Sequence, residues 1–260
     1  MENLFGRKDD STLKKDVDSK EKKEGHDKIN IGTEENPRLV SIGNTCSAEE
    51  KGKLVELLIS YQDVFAWGYE DLKNFRDGEF VHHIPLKPGA TTFKQKIQNY
   101  NPKVSEAIFK EVEKMLKARI IDPIHHSTWV ANIVPIRKKN GEIRICVDFR
   151  NLNETSLKDN YALPTMDHIL QTVARSEVMS MLDGYSGYNQ ICVAPKYEHK
   201  IAFITPWGTF SYSRMPFGLI NVGATFPRAM NSSFIDLRDR IIVIYLDDLT
   251  VYSKKKGISL

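Results

Sequence analysis

Two stretches of this 260-residue chain end an apolar run on a carboxylate. Val178-Met179-Ser180-Met181-Leu182 leads into Asp183, and Ile241-Ile242-Val243-Ile244-Tyr245-Leu246 leads into Asp247-Asp248. Each run reads as a buried strand that carries its acid to the rim of a sheet on a rigid support. Laid side by side, such strands would bring Asp183 and Asp247 together, and like charges a few ångströms apart need cations between them. Oxygen-only ligation favours Mg²⁺ or Mn²⁺. Two such ions about 3.5–4 Å apart suit in-line phosphoryl transfer. Aspartate is also a turn former, so the pair alone leaves a plain turn open.

The elements that position these acids follow from pattern. Asn101 and Pro102 open a helix as N-cap and first helical residue, with Val104, Ile108, Val112, Met115 and Leu116 as its apolar stripe. Ala131–Ile136 and Ile143–Val147 alternate with period two about Lys139-Asn140-Gly141, which predicts a hairpin with a primed turn. Ile143, Ile145 and Val147 then face one way, and Arg144, Cys146 and Asp148 the other. Further helices are expected over 165–174 and 222–234, with short strands at 191–194, 201–205 and 209–214. A closing hairpin spans 241–253. Strands and helices mix without a βαβ repeat, so the fold class is α+β with an antiparallel sheet.

Upstream, Ser47 and Glu50 form a possible capping box for a helix over 48–61. Residues 1–36 hold ten acidic and eight basic side chains against seven large apolar ones, which predicts a disordered tail. The adjacent pairs His82-His83 and His125-His126 cannot present two ligands to one ion. Cys46, Cys146 and Cys192 stand too far apart for a disulfide framework or a zinc site.

Charge narrows the partner class. The net charge is only +3, but residues 91–158 carry thirteen Lys and Arg against seven Asp and Glu. A basic hairpin beside a basic helix is the footprint of phosphate backbones. No apolar run spans a bilayer, and no signal-peptide core is visible. The chain is thus expected to be neither membrane-bound nor secreted; its place is otherwise open, with a cytoplasmic particle or the nucleus as the candidates.

Five blocks in order carry a resemblance. Tyr245-Leu246-Asp247-Asp248 resembles the Y-x-D-D box of reverse transcriptases, and Leu182-Asp183 through Ser186-Gly187-Tyr188-Asn189-Gln190-Ile191 resembles their first aspartate block. Arg214-Met215-Pro216-Phe217-Gly218-Leu219 lies between them. Val147-Asp148-Phe149-Arg150-Asn151-Leu152-Asn153 and Trp129 through Lys139 precede them. The group most similar is the gypsy-type LTR retrotransposon enzymes, carried in pol polyproteins. Gly223 stands where many members have proline, a variant of plant-type elements.

The resemblance implies the fingers and palm of the right-hand polymerase fold, ending before the thumb and ribonuclease H. Its implied boundaries are a charged tail over 1–46, a lead-in over 47–100, fingers over 101–160, palm over 161–253 and a tail over 254–260. It implies RNA-directed DNA polymerase activity, transferring nucleotides from dNTPs to the primer 3′-hydroxyl on an RNA or DNA template, with two Mg²⁺ or Mn²⁺ ions. Asp183, Asp247 and Asp248 would be the catalytic metal ligands. Lys138, Arg144, Gly184, Tyr185, Tyr188 and Phe217 would bind the nucleotide, with Tyr188 excluding a 2′-hydroxyl; a core role is the alternative for Tyr188 and Phe217. Arg150, Tyr245 and Leu246 would contact template or primer, and the rest of a pol polyprotein is a further partner. Only twelve residues follow Asp248, so a second expectation is a truncated, non-catalytic element remnant that still binds nucleic acid. Under that reading the palm sheet would show apolar side chains to water, and Pro227 would kink its helix.

Overall fold

Side-chain caps and apolar periodicity set the local structure as the residue types require. The computed structural model describes residues 25–44, 46–73, 75, 80–137, 141 and 143–254, and its contacts divide into two units at Phe65 and Ala66.

In the first unit, strands β1 (His26–Asn30) and β2 (Leu39–Gly43) pair antiparallel over five residues each. This corrects the expectation of a tail running to residue 46; the part of that tail before residue 25 lies outside the described residues. The connecting loop is tied by side chains. Asn30 Oδ1 accepts from the backbone N–H groups of Gly32 (2.9 Å) and Arg38 (2.8 Å), and Thr33 Oγ1 accepts from that of Asn36 (3.0 Å). Such local bonds give a highly charged segment a turn without a large core. Helix α1 (Ala48–Ser60) follows with the Ser47–Glu50 capping box in place, and Lys51 pairs with Asp27 of β1 at 2.6 Å. None of its residues is buried.

The second unit contains the main core. Strand β3 (Val81–His82) precedes helix α2 (Pro102–Lys117), and the Asn101 side chain accepts from the Val104 N–H at 2.9 Å, the expected cap. Ile108, Val112 and Met115 of α2 are buried. Strands β4 (Ile121–Pro123), β5 (Ala131–Arg137) and β6 (Ile143–Val147) follow. The expected hairpin tip lies outside the described residues apart from Gly141. Helices α3 (Arg150–Thr155) and α4 (Met166–Val173) lead to β7 (Val178–Asp183), β8 (Cys192–Val193), α5 (Pro195–Glu198), β9 (Ala202–Thr205) and β10 (Gly208–Tyr212). Helix α6 (Val222–Ser233) runs through Pro227, which is fully buried. Strands β11 (Ile242–Tyr245) and β12 (Asp248–Ser253) end the unit.

One sheet has the order β4-β10-β9-β5-β6, and a second has β11-β12-β7. The first unites residues far apart in sequence, with β5 and β9 parallel and the rest antiparallel. Phe203 at its centre is fully buried and packs on Phe210 and Tyr212.

In the second sheet β11 is buried, as expected, but every residue of β7 is exposed. Met181 is 83% exposed and Met179 51%. Among the described residues β12 is its one strand neighbour, and neither face of the strand is covered. An apolar run cannot by itself show whether other elements cover its strand.

His82 is buried and its Nδ1 lies 2.9 Å from Thr225 Oγ1. Burial, reinforced by His83, lowers its pKa from 6.5 to about 4. The unfolded chain therefore takes up a proton near pH 6.5 that the folded chain refuses until about pH 4. Stability from this group is complete above pH 6.5 and is lost as pH falls towards 4, by roughly 3 kcal/mol. Urea midpoints from pH 7 to pH 4.5 should fall accordingly, and His82→Gln should flatten that slope; an unchanged slope would refute the assignment.

Candidate active site

The sheet register decides which carboxylates meet. Strand β7 pairs with β12, the strand after the Leu246-Asp247 turn, rather than with β11 before it, so Asp183 stands opposite Asp248. Cross-strand partners share a face. The expectation that Asp183 and Asp247 come from neighbouring strands is corrected to that extent, because Asp247 lies in the turn itself. Leu246 beside it has φ 55°, a left-handed conformation that costs a non-glycine residue about 1 kcal/mol or more. The two-residue turn holds that strain and places Asp247 beyond the sheet rim.

Asp183 and Asp247 line one cavity of about 350 Å³. Their oxygen-only chemistry suits a hard divalent cation. Among the described residues, however, no group of three His, Cys, Asp or Glu side chains is arranged to hold a metal ion. The donors are of the right kind and two face the same space; a closed three-ligand cluster is not preformed.

Arg144, Gly184, Tyr185 and Phe217 line the same cavity. The Arg144 guanidinium carbon sits 4.1 Å from the centre of the Phe217 ring, a cation–π contact that fixes the guanidinium at the cavity wall. Tyr188 is placed differently. It is 7% exposed and is not part of the lining; its ring stands edge-on to Phe217 (4.6 Å) and Phe226 (5.0 Å). Burial first, then the nearby Asp247 and Asp248 carboxylates, push its phenol up to about 12. Lys138 lies outside the described residues.

Arg150 is exposed and holds Asp148 with two bonds, Nε to Oδ1 at 2.8 Å and Nη2 to Oδ2 at 2.7 Å. That contact lowers the Asp148 pKa. Tyr245 is half-buried and opposite Asp248 in the register.

Sequence reading missed Tyr69, Glu111 and Asn189, which also line the cavity. The Tyr69 hydroxyl donates to Glu111 Oε1 at 3.2 Å, and burial followed by that carboxylate raises its pKa to about 12. Tyr69 belongs to the irregular lead-in, where no periodicity marks a site. Glu111 lies on α2 one turn before the buried Met115 and could have been noticed as an acid bordering the apolar stripe.

Gly187 is a tight point behind the site. A Cβ there would lie 2.9 Å from Phe226 Cζ, and Phe226 is buried. Gly187→Ala should therefore cost about 1–3 kcal/mol by overpacking, read as a lower urea midpoint, and Phe226→Leu in the same chain should restore part of it. Equal stability of Gly187→Ala and the unaltered chain would contradict this packing.

Residues 136–258 match the family described as reverse transcriptase (RNA-dependent DNA polymerase). An RNA-directed DNA polymerase homolog of Oenothera berteroana is 38% identical over 111 residues, covering 43% of this chain and 78% of that protein. The chain belongs to the reverse transcriptase family. The retrovirus-related Pol polyprotein from transposon 297 of Drosophila melanogaster is 35% identical over 147 residues, and that from transposon gypsy is 32% identical over 164. These matches cover 55% and 59% of this reverse transcriptase chain but only 14% and 15% of the polyproteins. They support a retrotransposon type of reverse transcriptase; the plant-type refinement is only weakly supported.

Among solved structures, the foamy viral protease-reverse transcriptase in complex with RNA/DNA hybrid superposes with a TM-score of 0.65 at 20% identity, over 81% of this chain and 28% of that one. Its complex with double-stranded DNA, in a dRH form, gives 0.63 at 21% identity over 81% and 36%. This likeness establishes the fingers and palm fold. Reverse transcriptases generally depend on divalent metal ions.

Proposed function

We propose that this chain is the polymerising part of a retrotransposon reverse transcriptase. It would join a deoxynucleoside monophosphate from a dNTP to a primer 3′-hydroxyl on an RNA or DNA template and release pyrophosphate. The observation that carries the reading is one cavity whose lining includes Asp183, Asp247 and the Phe217-stacked Arg144.

In this reading Asp183 and Asp247 would hold two divalent ions, with Asp248 turning in from its register position opposite Asp183. Such ions, when bound, would neutralise phosphate charge and activate the primer hydroxyl. Arg144 would bond phosphate oxygens through its planar fork, and Phe217 would keep that fork aimed. Gly184 and Tyr185 would border the nucleotide. Tyr188 would form the rigid backing of the sugar pocket, set by Phe217 and Phe226. Lys138 would add phosphate charge, and Arg150, Tyr245 and Leu246 would face template and primer. The fingers over 101–160 and the palm over 161–253 would interleave, a reading supported by strands from both ranges in the five-stranded sheet.

A second reading is binding without turnover. The bare β7 and the absence of a preformed three-ligand cluster among the described residues favour it. Primer extension on poly(rA) with an oligo(dT) primer and Mg²⁺ or Mn²⁺ separates the two. Added nucleotides support the enzyme; no extension with retained, salt-sensitive template binding supports binding alone. Loss of both would remove both readings.

A further inference from the structure

A second pocket, of about 680 Å³, adjoins the catalytic cavity and shares Tyr69, Glu111 and Tyr185 with it. Trp67, Tyr69 and Tyr185 supply aromatic surface, and Lys110, Lys114 and Lys117 line it from α2. The lysine spacing of four and three residues puts all three on one helix face. The Tyr69 and Tyr185 rings are 6.2 Å apart and tilted by 55°.

We propose that this pocket is a second nucleotide subsite, which holds a nucleoside triphosphate outside the catalytic cavity. Aromatic side chains receive a base by its face, and such stacking tolerates any base. Lysine ammonium groups take phosphate as point charges. Lys110 and Lys114 are now paired with Glu106 (2.7 Å) and Glu111 (3.3 Å), but both are well exposed, at 65% and 64%. The Lys110–Glu106 pair is exposed at both ends and weak, so a polyphosphate can displace it; Glu111 is only 16% exposed, so Lys114 meets a phosphate by swinging its exposed ammonium away from that carboxylate. Glu70 and Glu111 also line the pocket; they repel a bare anion but can accept from the amino group of a base. The volume suits one nucleotide. This subsite is independent of turnover, and its test needs no catalysis.

Trp67 is the reporter. With divalent ions chelated, dATP should quench its fluorescence saturably, and Trp67→Phe should lose that component. Deoxyadenosine, which lacks phosphate, should need at least about tenfold more for half-quenching, and inorganic triphosphate should compete with dATP. Lys114→Gln with Lys117→Gln should raise the dATP midpoint by about tenfold. If dATP leaves Trp67 unchanged, if deoxyadenosine matches it, or if triphosphate fails to compete, the proposal is overturned; those three arms use the unaltered chain. Quenching by a short oligo(dT) but not by dATP would assign the pocket to a strand and also overturn it. Primer extension reads the catalytic cavity separately, so either reading can fail alone.

Discussion

Asp247→Asn is expected to lower primer extension by on the order of a thousandfold. The substitution keeps the size of the side chain and removes one negative charge where two cations would sit. Charge held in a fixed place at the reacting phosphates commonly contributes more to such catalysis than any other single effect. Asp247 occupies the two-residue turn beside the left-handed Leu246, and it lines the cavity together with Asp183. The fold should survive, because Asp247 is only partly buried and lies outside the core. Single-turnover extension at saturating dNTP and Mg²⁺ checks this, with circular dichroism as the folding control. A variant that keeps more than about a tenth of the rate would sink the two-ion reading.

Phe203→Ala should have the largest effect on stability, about 3–5 kcal/mol. Phe203 is fully buried in the central strand of the five-stranded sheet, with ring centres 5.9 Å from Phe210 and 5.3 Å from Tyr212. Truncation removes contacts with both rings and with the strand on its other side, and a sheet centre cannot collapse to fill the gap. Against a typical stability of about 5–15 kcal/mol, that loss leaves little. Guanidinium unfolding followed by tryptophan fluorescence measures it, and a change below about 1 kcal/mol would show that the sheet centre is loosely packed.

Local signals made much of this legible. Asn101-Pro102 and Ser47-Glu50 specify helix starts through bonds made within a few residues, so no knowledge of tertiary structure was needed. The period-two alternation of 143–147 gave the facing of Arg144 for the same reason. Burial of β7 was misjudged, since covering depends on elements remote in sequence. The pairing of Asp183 with Asp248 was hidden as well, because strand order is a tertiary choice that either flank of the Leu246-Asp247 turn could satisfy. Tyr69 was invisible: its role comes from the placement of an irregular segment beside α2. The β1–β2 hairpin was missed because side-chain bonds from Asn30 and Thr33 organise a loop whose composition suggests none.

The bare edge strand has a consequence for cooperativity. Among the described residues, Asp183 is held by a strand with one neighbour and no buried side chain, whereas Phe203 sits in a strand flanked on both sides. Regions with few buried contacts open at much lower free energy than the global transition. Strand β7 can therefore detach, taking its carboxylate away from Asp248, while the five-stranded sheet stays intact. Competence for chemistry and survival of the fold are then governed by different free energies, and a preparation can be fully folded by every global probe yet hold only a fraction of its molecules with the acids in register.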